Sequence, residues 1–126
     1  MTVFSRSAPL LFVLALGVSP TAAYAGGDAV KGKTVFARCA ICHGVKTGEV
    51  KLGPTLFKVV GRKAGTVPAF QYSAAMKASK ATWDAKTLDA YVTNPMKYIP
   101  GTRMAFAGVP QPADRANLIA YLATLK

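Results

Sequence analysis

The residues with the richest chemistry in this chain of 126 residues stand side by side: CAICHG, residues 39–44, holds both cysteines and the only histidine. Two thiols and an imidazole at C-x-x-C-H spacing admit four readings. A disulfide is the ordinary fate of two cysteines in an oxidising compartment. A thioredoxin-like redox pair needs a strand–helix setting. The flanking sequence has no long alternating run and no hairpin dipeptide between apolar stretches. A structural zinc site wants four ligands, usually in two paired clusters, and here there are three candidates and no second cluster. The fourth reading is covalent attachment of a c-type haem. Cys39 and Cys42 would add to the two vinyl groups along one porphyrin edge, and His43 would sit under the iron as an axial ligand. It is the reading that remains, and it is the one we adopt.

His43 fills one axial position. For the other, the mature chain offers Met76, Met96, Met104, a lysine or water. Methionine is more often a core filler than a ligand. Met104 is the favoured candidate on spacing, because it follows a Pro-Gly turn far along the chain from His43. A ligand for the opposite haem face needs such a separation, since the chain must pass round the cofactor.

The elements that would position these residues are short. Asp28 is an N-cap candidate for a helix that ends near the cysteines, with Val30, Thr34, Val35 and Phe36 near one face. Residues 44–68 are rich in glycine, include Pro54 and Pro68, and read mostly as loop. A short helix is expected over 71–78. A longer one opens after Thr82-Trp83-Asp84, carries Leu88, Tyr91 and Val92 on one face, and stops at Asn94-Pro95. A Pro- and Gly-bearing loop leads to a last helix after Gln111-Pro112, with Leu118, Ile119, Leu122 and Leu125 at helical spacing. Loops this long are unusual in so small a domain unless something organises them. A large flat apolar cofactor at the centre of the core would do so. The expected fold class is therefore all-α, with short helices and long loops wrapped around one covalently bound haem.

Residues 1–25 read as a removable export signal: Arg6, an apolar run from Ala8 to Val18, and Ala23-Tyr24-Ala25 before the cut. The run falls short of the roughly 20 residues of a membrane-spanning helix, and Gly17 and Pro20 interrupt or close it. Stable membrane insertion is not expected after cleavage. The mature domain would be residues 26–126, with 15 basic against 5 acidic residues, a balance of +10 before any haem propionates. Nucleic acid is not the expected partner. The positive charges are scattered, no basic run is longer than Arg62-Lys63, and no nucleic-acid motif is present. A charged docking face for an acidic protein suits the pattern better.

A series of motifs in fixed order then resembles the class I c-type cytochromes, close to the mitochondrial and soluble alphaproteobacterial members. The series is G-x-x-x-F ending at Phe36, C-A-I-C-H, G-P-T-L at 53–56, G-R-K-A-G at 61–65, Trp83, Tyr91, N-P-M-K-Y-I-P-G-T-R-M at 94–104 and R-A-N-L-I-A-Y-L at 115–122. The resemblance implies Met104 as sixth ligand and a Pro54 carbonyl that accepts the other ring N–H of His43. It implies that Arg62, Tyr72 and Trp83 lie near a buried haem propionate, where donors and positive charge are needed. Tyr91 and Thr102 match the polar groups behind the methionine. Gly32, Phe36, Leu118 and Tyr121 match the crossing of the first and last helices.

Some positions depart from that pattern. The loop between His43 and Pro54 is one residue shorter than in the mitochondrial proteins and lacks their second histidine. Met96 replaces a lysine, V-P-Q-P-A at 109–113 replaces a lysine-rich turn, and Met76 replaces an asparagine. Arg38, Lys51, Lys97 and Arg103 remain as basic residues of the docking face. The resemblance implies a monomeric periplasmic carrier of single electrons rather than an enzyme, of the kind that serves a respiratory chain. Its haem c would be joined to Cys39 and Cys42. Its partners would be redox proteins with acidic docking faces, such as a quinol–cytochrome c reductase, an oxidase or a reaction centre. The alternative is a peroxidase-like enzyme or gas-binding haem sensor with an open sixth position. That reading needs a distal acid–base group, and the chain has no second histidine to supply one.

Overall fold

The computed structural model describes residues 26–126; the expected signal at 1–25 lies outside the described residues. Among the described residues five helices follow in order: α1 (Ala29–Phe36), α2 (Ala74–Ala78), α3 (Ala85–Thr93), α4 (Pro95–Tyr98) and α5 (Pro112–Leu122). Among the described residues there is no strand, only an isolated antiparallel bridge between Lys63 and Thr82. No helix of the described residues is long and apolar enough to cross a membrane. The architecture is all-α with long loops.

α1 begins where the Asp28 carboxylate accepts the backbone N–H groups of Val30 and Lys31, at 2.8 and 3.1 Å. Its buried face is Gly32 and Phe36, not the expected Val30 and Thr34, which are exposed. The partner decides this. A Cβ on Gly32 would collide with the backbone carbonyl of Asn117 and come within 2.8 Å of the Tyr121 Cβ on α5. The two backbones therefore meet where α1 has no side chain, and apolarity alone does not mark that face. Phe36 continues the contact, its ring centroid 5.0 Å from that of Tyr121. Asn117 reaches back to accept the Asp28 N–H at 2.8 Å.

α3 lies against α5, and the Arg115 guanidinium joins them by donating to Asp89 at 2.7 Å and to the Val109 and Pro110 carbonyls at 3.0 Å each. Leu88, Tyr91 and Val92 are buried as the periodicity implies. Three boundaries differ from the sequence expectation. The short helix starts at Ala74 rather than residue 71, because Ser73 caps it through the Met76 N–H at 3.0 Å. Asn94 ends α3 but also caps α4, accepting the Lys97 N–H at 3.0 Å, so the chain makes one further helical turn. Leu125 lies beyond the end of α5, with Ala123 as its C-cap.

Candidate functional site

The site is built outward from the end of α1. The chain keeps turning past Phe36: the Cys39 N–H donates to Phe36 O at 2.8 Å, and the Cys42 and His43 N–H groups donate to Cys39 O at 3.0 and 2.9 Å. Helical turns place residues three and four apart on one face, so Cys39, Cys42 and His43 share a side. The cysteines form no disulfide with each other, and both are partly buried. Burial pushes the Cys39 thiol up, with neighbouring Arg38 opposing.

His43 is fixed by the loop that follows. Its Nδ1 lies 2.7 Å from the Pro54 carbonyl oxygen. A carbonyl only accepts, so Nδ1 carries the proton and Nε2 keeps its lone pair free for a metal. Burial lowers the imidazole pKa; the Pro54 bond opposes that shift and the Arg62 charge adds to it. A buried, neutral ring is the form that ligates iron. Gly53 is the residue missed by sequence reasoning. A Cβ there would stand 2.6 Å from His43 Cε1 and 2.8 Å from Nδ1. The backbone can press against the imidazole only with no side chain between, and the Gly53 N–H then donates to Cys42 O at 2.8 Å. The signal available in the sequence was a glycine directly before Pro54.

Glu49 shapes the same loop. Its carboxylate accepts the Val45 and Lys46 N–H groups at 3.0 and 3.2 Å, which holds it below the usual carboxylate range. Thr55 closes the loop by donating to Lys46 O at 2.7 Å.

A second group forms around Arg62. Its guanidinium donates to Phe57 O at 2.9 Å and Thr55 O at 2.8 Å. Its backbone pairs with Trp83, whose N–H donates to Arg62 O at 2.8 Å. The Tyr72 hydroxyl accepts the Val67 N–H at 3.0 Å. Burial raises the Tyr72 phenol pKa, while the Val67 bond and the Arg62 charge lower it. A groove lined by Thr55, Phe57, Arg62 and Val67 opens beside this group.

The third group is Tyr91, Thr102 and Met104. The Tyr91 and Thr102 hydroxyls are 2.9 Å apart, and the Met104 N–H points at Thr102 Oγ1 from 3.4 Å. Trp83 and Tyr91 rings lie 4.9 Å apart, which joins the second group to the third. Arg103 donates to Tyr72 O at 2.9 Å, tying the methionine loop to the same wall. The three methionines are thus distinguished by place: Met76 is core, Met96 is 56% exposed, and Met104 is partly buried beside a hydroxyl pair.

The ten expected residues fall into three groups: Cys39, Cys42, His43 and Pro54; Arg62, Tyr72 and Trp83; and Tyr91, Thr102 and Met104, the last two groups joined by the Trp83–Tyr91 ring contact. The donor set suits a haem. It offers two free thiols at C-x-x-C spacing, a neutral imidazole with a free Nε2, and a thioether from a distant loop.

The cytochrome c family profile matches residues 29–126. Cytochrome c2 of Rhodomicrobium vannielii is 54% identical over 103 residues, covering 81% of this chain and 82% of that protein. Cytochrome c of Euglena viridis is 46% identical over 101 residues, covering 79% and 99%. Among solved structures, cytochrome cH from Methylobacterium extorquens superposes with a TM-score of 0.74 at 41% identity, covering 78% of this chain and 99% of that one.

Proposed function

The chain belongs to the cytochrome c family, and from that premise we propose a periplasmic carrier that moves single electrons through a His43/Met104-ligated haem between two redox proteins. That it carries electrons, and that its cofactor is haem c held by Cys39 and Cys42, follows from the family. The location, ligands and partners are the finer part of the reading. The observation that carries it is the His43 Nδ1–Pro54 bond with Gly53 packed behind the ring.

Haem c supplies the one-electron couple when bound. The protein's own residues orient and shield. Pro54 and Gly53 hold the His43 imidazole in one orientation and tautomer, which keeps a ligand from reorganising between oxidation states. Met104 would hold the haem together with His43, and a methionine partner to histidine raises the potential of such a couple. Arg62 and Tyr72 supply positive charge and a donor for a buried propionate. Ile41 and Leu52 are 75% and 81% exposed. They precede Cys42 and Gly53, which share a hydrogen bond. This apolar pair provides a dry contact beside the attachment edge, where a partner would receive or give the electron. The apolar leader ending in Ala23-Tyr24-Ala25 supports export. The similarity to cytochromes c does not favour the peroxidase-like or gas-sensing reading.

Acid–organic extraction of the purified protein tests the attachment: the haem stays on the polypeptide, and the pair Cys39→Ala with Cys42→Ala yields no holoprotein. Met104→Ala removes the methionine–iron charge-transfer band of the ferric protein. Freely extractable haem in the wild type, or a band that survives Met104→Ala, contradicts the reading.

A further inference from the structure

One side chain ties the loop from Gly44 to Leu56 together from its middle. Gly48 turns the chain with a φ of +69°, and Glu49 then folds back over the start of the loop. Its carboxylate accepts the Val45 and Lys46 N–H groups at 3.0 and 3.2 Å. Its stem lies on Gly44, where an added Cβ would collide with Glu49 Cγ and Cδ. Lys51, at 3.7 Å, is a looser partner. From Lys46 the connection runs on. Lys46 O accepts the Thr55 hydroxyl at 2.7 Å. Thr55 is buried and follows Pro54, whose carbonyl takes the His43 Nδ1–H at 2.7 Å. We infer that Glu49 is a positioning residue for His43: by clamping Val45 and Lys46 it holds Thr55, and through Thr55 it holds the Pro54 carbonyl against the imidazole. This rests on the reading of His43 as the haem ligand.

The backbone alone does not set that carbonyl. Two bonds cross the loop, Gly53 N–H to Cys42 O at 2.8 Å and Leu56 N–H to Gly44 O at 2.9 Å. They bracket Pro54, but proline has no N–H with which to make a bond of its own. Thr55 is the neighbour that anchors it: its carbonyl takes Arg62 at 2.8 Å on one side, and its hydroxyl takes the Lys46 carbonyl on the Glu49 side. A partner that accepts the second ring N–H of a ligating histidine fixes the ring and raises its basicity. A more basic imidazole favours ferric iron. Loosening the Pro54 bond should therefore free the ring proton to exchange and raise the reduction potential.

The test follows the His43 ring N–H by NMR in the reduced, haem-loaded protein, as its exchange with deuterium oxide, beside the reduction potential. Glu49→Ala and Glu49→Gln both remove the charge, but the Gln amide oxygen still accepts the two N–H groups. Glu49→Ala is expected to speed ring-proton exchange severalfold and to leave the potential above that of Glu49→Gln, while Glu49→Gln exchanges like the wild type. Asp84→Ala, which uncaps α3 instead, controls for general loss of stability and leaves the exchange unchanged. Thr55→Val cuts the next link, and combined with Glu49→Ala it exchanges no faster than the faster single variant, because both break one relay. Exchange in Glu49→Ala that matches the wild type or Asp84→Ala overturns the inference. So does a Glu49→Gln that exchanges as fast as Glu49→Ala, or a double variant in which the two effects add. Ligation is read separately in the same spectrum. If the His43 ring carbon protons lack the large upfield shift that the haem ring current gives an axial ligand, the reading of His43 as ligand fails instead.

Discussion

A thioether is a weak, neutral ligand, and in the proposed site Met104 sits on an irregular stretch after Pro100 and Gly101. A deprotonated lysine amine binds ferric iron better. Lys97 is the only lysine from Asn94 to Met104, and it is exposed on α4, while Arg103 offers a guanidinium that is no iron ligand. The ferric protein is therefore expected to lose its methionine–iron band as pH rises, with Lys97 as the incoming group. Lys97→Arg moves that transition to higher pH and leaves the neutral-pH spectrum unchanged. A mutant that titrates like the wild type assigns the replacement to hydroxide or to a lysine outside this loop.

Helices as short as these depend on their ends and on one another. The α1–α5 crossing has no room at Gly32, where an added methyl meets the Asn117 carbonyl. Overpacking a tight contact costs about 1–3 kcal/mol, and because the obstacle is backbone, Gly32→Ala should reach at least that range in a denaturant titration. A mutant within experimental error of the wild type would show that the helices slide apart freely. α3 depends on Asp84, whose carboxylate accepts the Thr87 N–H at 2.8 Å and the Thr87 hydroxyl at 3.0 Å. These bonds hold its pKa below the usual carboxylate range. A folded value below the unfolded one means that the stabilisation is complete above the unfolded value and is lost as pH falls through the folded one. Asn in its place still caps but does not ionise. Thermal melts should show the wild type above Asp84→Asn at pH 6 and the gap closing below about pH 4. A constant gap at every pH would assign the effect to packing.

For the whole molecule the decisive quantity is charge. Fifteen basic residues face five acidic ones in residues 26–126, and Asp89 is already paired with Arg115. Glu49 meets Lys51 only loosely, at 3.7 Å. Steering by such a field weakens as salt shortens its reach. The association rate with an acidic redox partner should fall as ionic strength rises, in stopped-flow measurement. Arg38→Glu, beside the attachment cysteine, or Lys97→Glu should slow it more than Lys126→Glu. A rate indifferent to salt would leave docking to apolar contacts such as Ile41 and Leu52.

The attachment chemistry was legible in six residues because covalent ligation demands particular side chains at fixed spacing, and C-x-x-C-H has few competing uses. Helix positions were legible from periodicity and caps, since Asp28, Asp84 and Pro112 act on their own turns. Which face of α1 is buried was not, because that depends on what approaches it. Gly32 carries no hydrophobic signal and becomes the contact only when Asn117 arrives from 85 residues away. Gly53 has the same explanation, its meaning supplied by the His43 ring. The extra turn α4 escaped because Asn94 serves two helices at once, and a residue that stops one helix gives no local sign that it starts another. Local chemistry is written in residue type and spacing; close approach between distant segments is a property of the pair, and only the tertiary structure brings the pair together.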